Sequence, residues 1–288
     1  MDMQNFISQS QTATSVHTAE EGASGERSQG SSQQLPSFHT AHSLSVVLPA
    51  HNEEHIIVRT VQDVSAILAT WMNDFEVIVV NDGSTDHTEA LVSNLASSDP
   101  HIHLITHPVN RGYGAALVSG FAAATKELTF FMDSDGQFTI QDLQSFFPFI
   151  DTYDAVLGYR LERQDTWIRK LNASGWKFVV RLMLGVNVRD IDCAFKLMHT
   201  QFLHDYPLET QSALINAELL YKLTQSKCTY KQIGVHHLPR QGGQATGANI
   251  KVILRAFRDL FTYSSRWKRE VYQGAQALHA SDNVKKSA

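Results

Sequence analysis

Leu128-Thr129-Phe130-Phe131-Met132-Asp133-Ser134-Asp135-Gly136-Gln137 is the stretch on which the fold turns. Its first five residues are apolar or β-branched, a run short enough for a strand buried on both faces. Its last five are acidic, polar and glycine-containing, the composition of a turn. The same pattern occurs twice upstream. Leu44-Ser45-Val46-Val47-Leu48 runs into Pro49-Ala50-His51-Asn52-Glu53-Glu54, and Phe75 to Val80 runs into Asn81-Asp82-Gly83-Ser84-Thr85-Asp86. Between these runs, Glu53 to Ala69 carries Ile56, Ile57, Val61, Val64 and Leu68 near helical spacing. Thr85 to Leu95 and the small-residue segment Tyr113 to Ala124 also read as helices, and His101 to Ile105 as a further strand. This alternation predicts an α/β fold with a mostly parallel central sheet and helices on both faces. Ligands in such folds gather beyond the carboxyl ends of the strands, which is where all three polar clusters fall.

The chain has 288 residues, with 24 Lys and Arg against 29 Asp and Glu, a formal net charge of −5. An acidic balance of this kind argues against a nucleic-acid partner, whose phosphates call for a basic surface. Two cysteines, Cys193 and Cys228, make no disulfide framework. No apolar run reaches the ~18–20 residues that span a bilayer, and the polar amino terminus lacks the apolar centre of a signal peptide. Residues 1–42, rich in Ser, Thr and Gln, read as a disordered polar tail. Residues 43–262 read as a single domain, and 263–288 as a tail that is first basic and then polar. Past Tyr153 the alternation weakens to one strand, Ala155 to Tyr159, and two amphipathic helices, Trp167 to Leu184 and Asn249 to Phe261. Arg169, Lys170, Lys177 and Arg181 lie among Trp167, Trp176 and Phe178, and Lys251 to Arg269 repeats the mixture. Basic helices of this kind suit an anionic membrane interface or a core face backed by solvated charge. Both readings stand, as does a membrane-anchored partner.

Asp133 and Asp135 are two apart, so in extended backbone they point to one side. Paired carboxylate oxygens there suit a hard divalent cation, Mg²⁺ or Mn²⁺, bridged to phosphate, and Gln137 offers an amide oxygen. An isolated pair of this spacing is more often a solvated acidic turn; its place at the end of a buried strand, in line with two other clusters, favours the cation. Asp82 can accept hydrogen bonds from a base N–H or a ribose hydroxyl, while Ser84 or Thr85 caps the next helix. In Asn110-Arg111-Gly112-Tyr113-Gly114, two glycines before a helix let backbone N–H groups approach phosphate, and Arg111 adds positive charge. The third glycine and acidic partner of a dinucleotide site are missing.

The order of these motifs resembles the family-2 glycosyltransferases of the GT-A fold, over about Ser43 to Arg258. Gly158-Tyr159-Arg160, Asp190-Ile191-Asp192-Cys193-Ala194-Phe195-Lys196 and Pro239-Arg240-Gln241-Gly242-Gly243 narrow the likeness to the dolichyl/polyprenyl-phosphate sugar synthases. The resemblance implies that Pro49, Asn52, Glu53, Asp82, Arg111 and Asp133 meet a nucleoside-diphosphate sugar. It places a divalent cation on Asp133, Asp135 and Gln137, and gives catalytic roles to Asp135, Arg160, Arg240 and Asp192, the arginines meeting the diphosphate or an acceptor phosphate. Asp192 and Ala194 stand where Thr and Gly are common in those synthases, and Lys196 where Arg is usual. The implied reaction is inverting transfer of a sugar from a GDP- or UDP-sugar to a polyprenyl or dolichyl phosphate, on the cytoplasmic face of a membrane. A hydroxyl acceptor and a non-catalytic sugar-nucleotide-binding protein are the alternatives. A phosphate monoester, with a second pKa of about 6, is already anionic near neutral pH. A hydroxyl needs a base within reach, for which Asp190, Asp192 and Glu218 are the candidates.

Overall fold

The computed structural model describes residues 38–161, 175, 178–239 and 258–267. Three wholly buried runs form the middle of the sheet: β1 (Leu44–Ala50), β2 (Phe75–Asp82) and β4 (Leu128–Met132), with β3 (Ile102–His107) outside β2. Their Val, Ile and Phe content suits a pleated surface covered on both faces. α1 (Ile57–Trp71) buries Ile57, Val61, Val64 and Leu68, a stripe at helical period that packs toward β2. α2 (Thr88–Ser98) and α3 (Tyr113–Ala123) complete the alternation.

β5 (Ala155–Arg160), β6 (Phe195–His199) and β7 (Tyr230–Val235) extend the sheet to seven strands in the order β3-β2-β1-β4-β6-β5-β7. Four of its six ladders are parallel; β6 runs antiparallel to both β4 and β5. That reversal decides what lies on the rim. Met132, the last residue of β4, pairs with Phe195, the first of β6. The residues after β4 and those before β6 therefore emerge side by side, with the ends of β1, β2, β5 and β7. Phe195 locks this seam, its ring 4.6 Å from Phe130, 5.2 Å from Phe146 and 5.5 Å from Phe138 between centroids. Past β4 the chain makes a 3-10 turn (Ile140–Ser145) and the short α4 (Phe147–Ile150); α5 (Thr200–Asp205) and α6 (Ile215–Gln225) follow β6.

Packing begins earlier than the composition of residues 1–42 indicates. Phe38 sits edge-on to Trp71 at 5.3 Å and tilts against Phe147 at 5.4 Å, and the Thr40 amide donates to the Trp71 carbonyl. His42 bridges Glu127 and Asp151 at 3.0 Å each. Phe38 and His42 thus find partners from distant parts of the chain. Of the two expected amphipathic helices, residues 167–174, 176–177 and 249–257 lie outside the described residues. The described remainder is helical over 178–184 and 258–267. Val180, Leu184, Leu260 and Trp267 are buried there, while Phe178, Leu182 and Phe261 are 66%, 74% and 63% exposed. Both stretches therefore present a core face and an apolar outer face.

Candidate active site

Asp133, Ser134 and Asp135 follow directly on the end of β4, where the chain begins to bend. Ser134 turns inward: its hydroxyl donates to the Pro49 carbonyl at 2.7 Å, and its carbonyl accepts from Thr60 Oγ1. Asp133 and Asp135 flank it. Burial pushes the Asp133 carboxyl up, the neighbouring Asp135 charge adds to this, and Tyr113, Arg160 and Lys196 pull the other way, leaving it at about 7. A carboxyl raised in this way is one that added positive charge nearby would ionise. Asp135 Oδ1 accepts the Gln137 amide at 3.1 Å, and Gln137 Nε2 donates to the Leu238 carbonyl at 3.0 Å, which ties the acidic turn to the segment after β7. Among the described residues no three His, Cys, Asp or Glu side chains gather into a metal cage. A cation here would complete its shell with phosphate and water oxygens, as Mg²⁺ commonly does.

Asp82 faces inward. The residue is 3% exposed, and its carboxylate accepts from the Arg111 amide at 2.9 Å, the Gly112 amide at 2.8 Å and the His107 ring at 2.7 Å. His107 is held in turn by Ser119. Asp82, the residue expected to receive a base or ribose, seats the glycine loop with both of its oxygens. That loop is gripped from the other side as well. The Gly114 amide donates to the Gln211 carbonyl at 3.0 Å. At Gly112, whose φ is +102°, a Cβ would lie 2.5 Å from the Gln211 oxygen; at Gly114 it would lie 2.1 Å from the Thr210 oxygen. Only glycine allows backbone to pass backbone this closely. The amides of Arg111, Gly112 and Gly114 are thereby spent on protein acceptors.

Glu218, on α6, holds the opposing loop. It is wholly buried and accepts from the Glu209 amide, the Thr210 amide and the Thr210 hydroxyl, and it pairs with Lys222 at 2.9 Å. Glu209 then receives the Trp267 indole N–H at 2.9 Å and the Arg266 guanidinium. A carboxylate so fully engaged is no general base, and Glu218 leaves the list of candidates.

Arg160, at the end of β5, forms a two-pronged pair with Asp190 at 2.7 and 2.9 Å. Despite burial, which opposes its charge, the Asp190 carboxylate raises Arg160 further above its ordinary range. Lys196 points from β6 into the core beneath: its ammonium lies 5.3 Å from the Phe131 ring centre and donates to the carbonyls of Ile191 and Cys193 and to Asn216 Oδ1 at 2.8 Å. Burial holds Lys196 below the usual lysine range. Arg160 and Lys196 thus shape the 190–193 turn from two sides, and Asp192 is exposed on it. The buried Cys193 thiol, pushed up to about 12 by desolvation, is inert.

The structure brings Asp133, Asp135 and Gln137 into one turn. Arg160 and Lys196 lie close enough for their charges to act on Asp133. Pro49 ends its strand behind Ser134. Asn52, at φ 56°, accepts the Thr85 amide through its side chain, and the Glu53 amide donates to Thr88, so both brace the turn after β2. The Arg111 side chain is exposed, and Arg240 lies outside the described residues. Sequence reasoning passed over Tyr113, His107 and Asn216. Their only signals are an aromatic between two glycines, a histidine ending a strand and a polar residue in an apolar helix.

The family model described as glycosyl transferase family 2 matches residues 45–207. An undecaprenyl-phosphate 4-deoxy-4-formamido-L-arabinose transferase of Enterobacter sp. (strain 638) is 26% identical over 215 residues, 74% of this chain and 64% of that protein. A dolichyl-phosphate beta-glucosyltransferase of Trichomonas vaginalis is 32% identical over 172 residues, 54% of this chain and 52% of that protein. The chain therefore spans about half to two thirds of the length of these curated relatives. Among solved structures, glucosyl-3-phosphoglycerate synthase from Mycobacterium tuberculosis in complex with Mn²⁺, UDP-glucose and phosphoglyceric acid superposes with a TM-score of 0.59 at 20% identity, covering 78% of this chain and 80% of that one. The shared architecture is the GT-A fold expected from the sequence.

Proposed function

The chain belongs to glycosyl transferase family 2, and on that premise we propose that it transfers a sugar from a nucleoside-diphosphate sugar to a polyprenyl or dolichyl phosphate, with inversion and with the help of a divalent cation. One observation carries the reading: two carboxylates, Asp133 and Asp135, stand two residues apart just past the end of β4, and the positive charges of Arg160 and Lys196 act on Asp133 there. Such a place is built for a cation and the diphosphate it accompanies. When bound, the cation neutralises charge that builds on the departing diphosphate. Asp133 and Asp135 would hold it; Gln137 meets Asp135 through its backbone amide, and its side-chain amide nitrogen is taken by the Leu238 carbonyl. Arg160, kept charged and oriented by Asp190, faces the phosphates of donor or acceptor as a fixed donor array. Its pre-paid orientation means that no charge has to reorganise during the reaction.

Two of the three candidate bases are engaged elsewhere, which supports an acceptor that needs none. Asp190 is committed to Arg160 and Glu218 to the 209–210 backbone. A lipid phosphate, already ionised, attacks without a base, and the names of the curated relatives agree with such an acceptor. The exposed Phe178, Leu182 and Phe261, flanked by Arg181, Arg258 and Arg266, would lie against the membrane that carries it. Among the described residues no helix is long and apolar enough to cross a membrane. The test is a panel of UDP- and GDP-sugars with Mg²⁺ or Mn²⁺, scored for transfer to a short polyprenyl phosphate. Transfer from at least one donor is expected. Failure with every donor, beside transfer to a sugar hydroxyl that Asp192→Asn abolishes, would move the acceptor assignment to a hydroxyl.

A further inference from the structure

Among the described residues, one buried side-chain polar atom makes no hydrogen bond: the Tyr113 hydroxyl. A buried donor left without an acceptor is destabilising, and phenylalanine would fill the same space without that penalty. The Tyr113 backbone is pinned by Asp82, which takes the Gly112 amide, and by Gln211, which takes the Gly114 amide. The hydroxyl is also aimed. Asp133, Asn216 and Cys193 are the polar side chains that act on it; Asn216 has its oxygen on Lys196 and only its NH2, a donor, left to offer. Asp133 is thus the acceptor in front of it, short of a hydrogen bond of good geometry.

A carboxylate that ligates a cation through one oxygen is usually held through the other by a second group, and loss of that group weakens the metal about 10–100-fold. We infer that Tyr113 is a positioning residue for Asp133. With a cation and nucleoside diphosphate bound, its hydroxyl donates to the Asp133 oxygen turned away from the cation and fixes the carboxylate's orientation. The inference rests on the cation-binding reading of Asp133 and Asp135.

Tyr113→Phe in the full chain tests it with two readouts besides turnover. The first is the melting temperature without ligands, expected to equal or exceed that of the wild type. The second is Mn²⁺ affinity by calorimetry in the presence of UDP and, in parallel, GDP, expected to fall about 10–100-fold. A variant that melts lower than the wild type would show that the hydroxyl is bonded in the free protein, and would overturn the inference. So would unchanged Mn²⁺ affinity. A wild-type protein that binds Mn²⁺ with neither nucleotide would bring down the cation reading itself, a failure distinct from that of Tyr113 alone.

Discussion

Gly114→Ala tests how tightly the glycine loop is held. The added Cβ would lie 2.1 Å from the Thr210 oxygen, 2.6 Å from the Ser212 oxygen and 2.7 Å from the Gln211 carbonyl carbon, all backbone. Ordinary contact begins near 3.4 Å, so the opposing loop must retreat by about 1.3 Å, the difference between 3.4 and 2.1. It cannot do so freely, because Glu218 binds the amides of Glu209 and Thr210. Overpacking costs about 1–3 kcal/mol, and the stretched Gly114 to Gln211 hydrogen bond adds about 0.5–1.5 kcal/mol. Alanine returns up to about 1 kcal/mol of helix propensity, less in a first turn. The net is a loss of roughly 0.5–4.5 kcal/mol, or about 1–18 °C in melting temperature for a chain of this size. Circular dichroism against temperature measures it. Gly175→Ala is the control: Gly175 is also helical, but a Cβ there meets nothing within 4 Å, and the same change should stabilise by about 0.4–1 kcal/mol. If Gly114→Ala melts with or above the wild type, the close approach of the two loops is not real and the account of the site's frame fails.

Asp135→Ala should abolish cation-dependent sugar transfer while leaving the circular dichroism spectrum and melting curve nearly intact; normal turnover would remove the metal assignment. Glu218→Gln strands Lys222 opposite a neutral group and should cost about 3–5 kcal/mol in urea unfolding, with transfer retained by the folded fraction. A variant that folds like the wild type and is dead would restore Glu218 as a base. Burial pushes Asp99 up, but hydrogen bonds from Ser65 and from the His101 amide and ring outweigh this and hold it below the ordinary aspartate value. A carboxyl depressed on folding contributes stability that is present above its unfolded pKa and lost as pH falls through the folded one. Asp99→Asn should therefore be less stable than the wild type at pH 7, and the two unfolding free energies should converge below about pH 3.8, the unperturbed aspartate range.

The amino-terminal half of the fold is legible because its strands declare themselves locally. β1, β2 and β4 are unbroken apolar runs, and each ends in a polar cluster that marks the rim. β6 and β7 are not, for two different reasons. In Phe195–His199 a lysine interrupts the strand, and its burial becomes tolerable only through the Ile191 and Cys193 carbonyls and Asn216, partners that no local pattern announces. Tyr230–Val235 is an edge strand, half-buried along most of its length, with Lys, Gln and Gly in place of alternation. The acidic pair was readable from its spacing. The inward turn of Asp82 was not, because a carboxylate offered to a ligand and one offered to three protein donors look alike in sequence. Glu218 and Lys222 stand four apart on one helix, a visible pair, yet what they hold belongs to a distant loop.

The reversed strand β6 has a consequence for how the protein comes into being. Until Phe195–His199 leaves the ribosome, β4 has a neighbour on one side only, and its other edge, Leu-Thr-Phe-Phe-Met, offers bare backbone groups beside large apolar side chains. Such an edge is a template for pairing with another chain. A nascent or truncated product that stops short of residue 195 is therefore expected to aggregate or to demand a chaperone, and the sixth strand serves as the cover that ends this exposure.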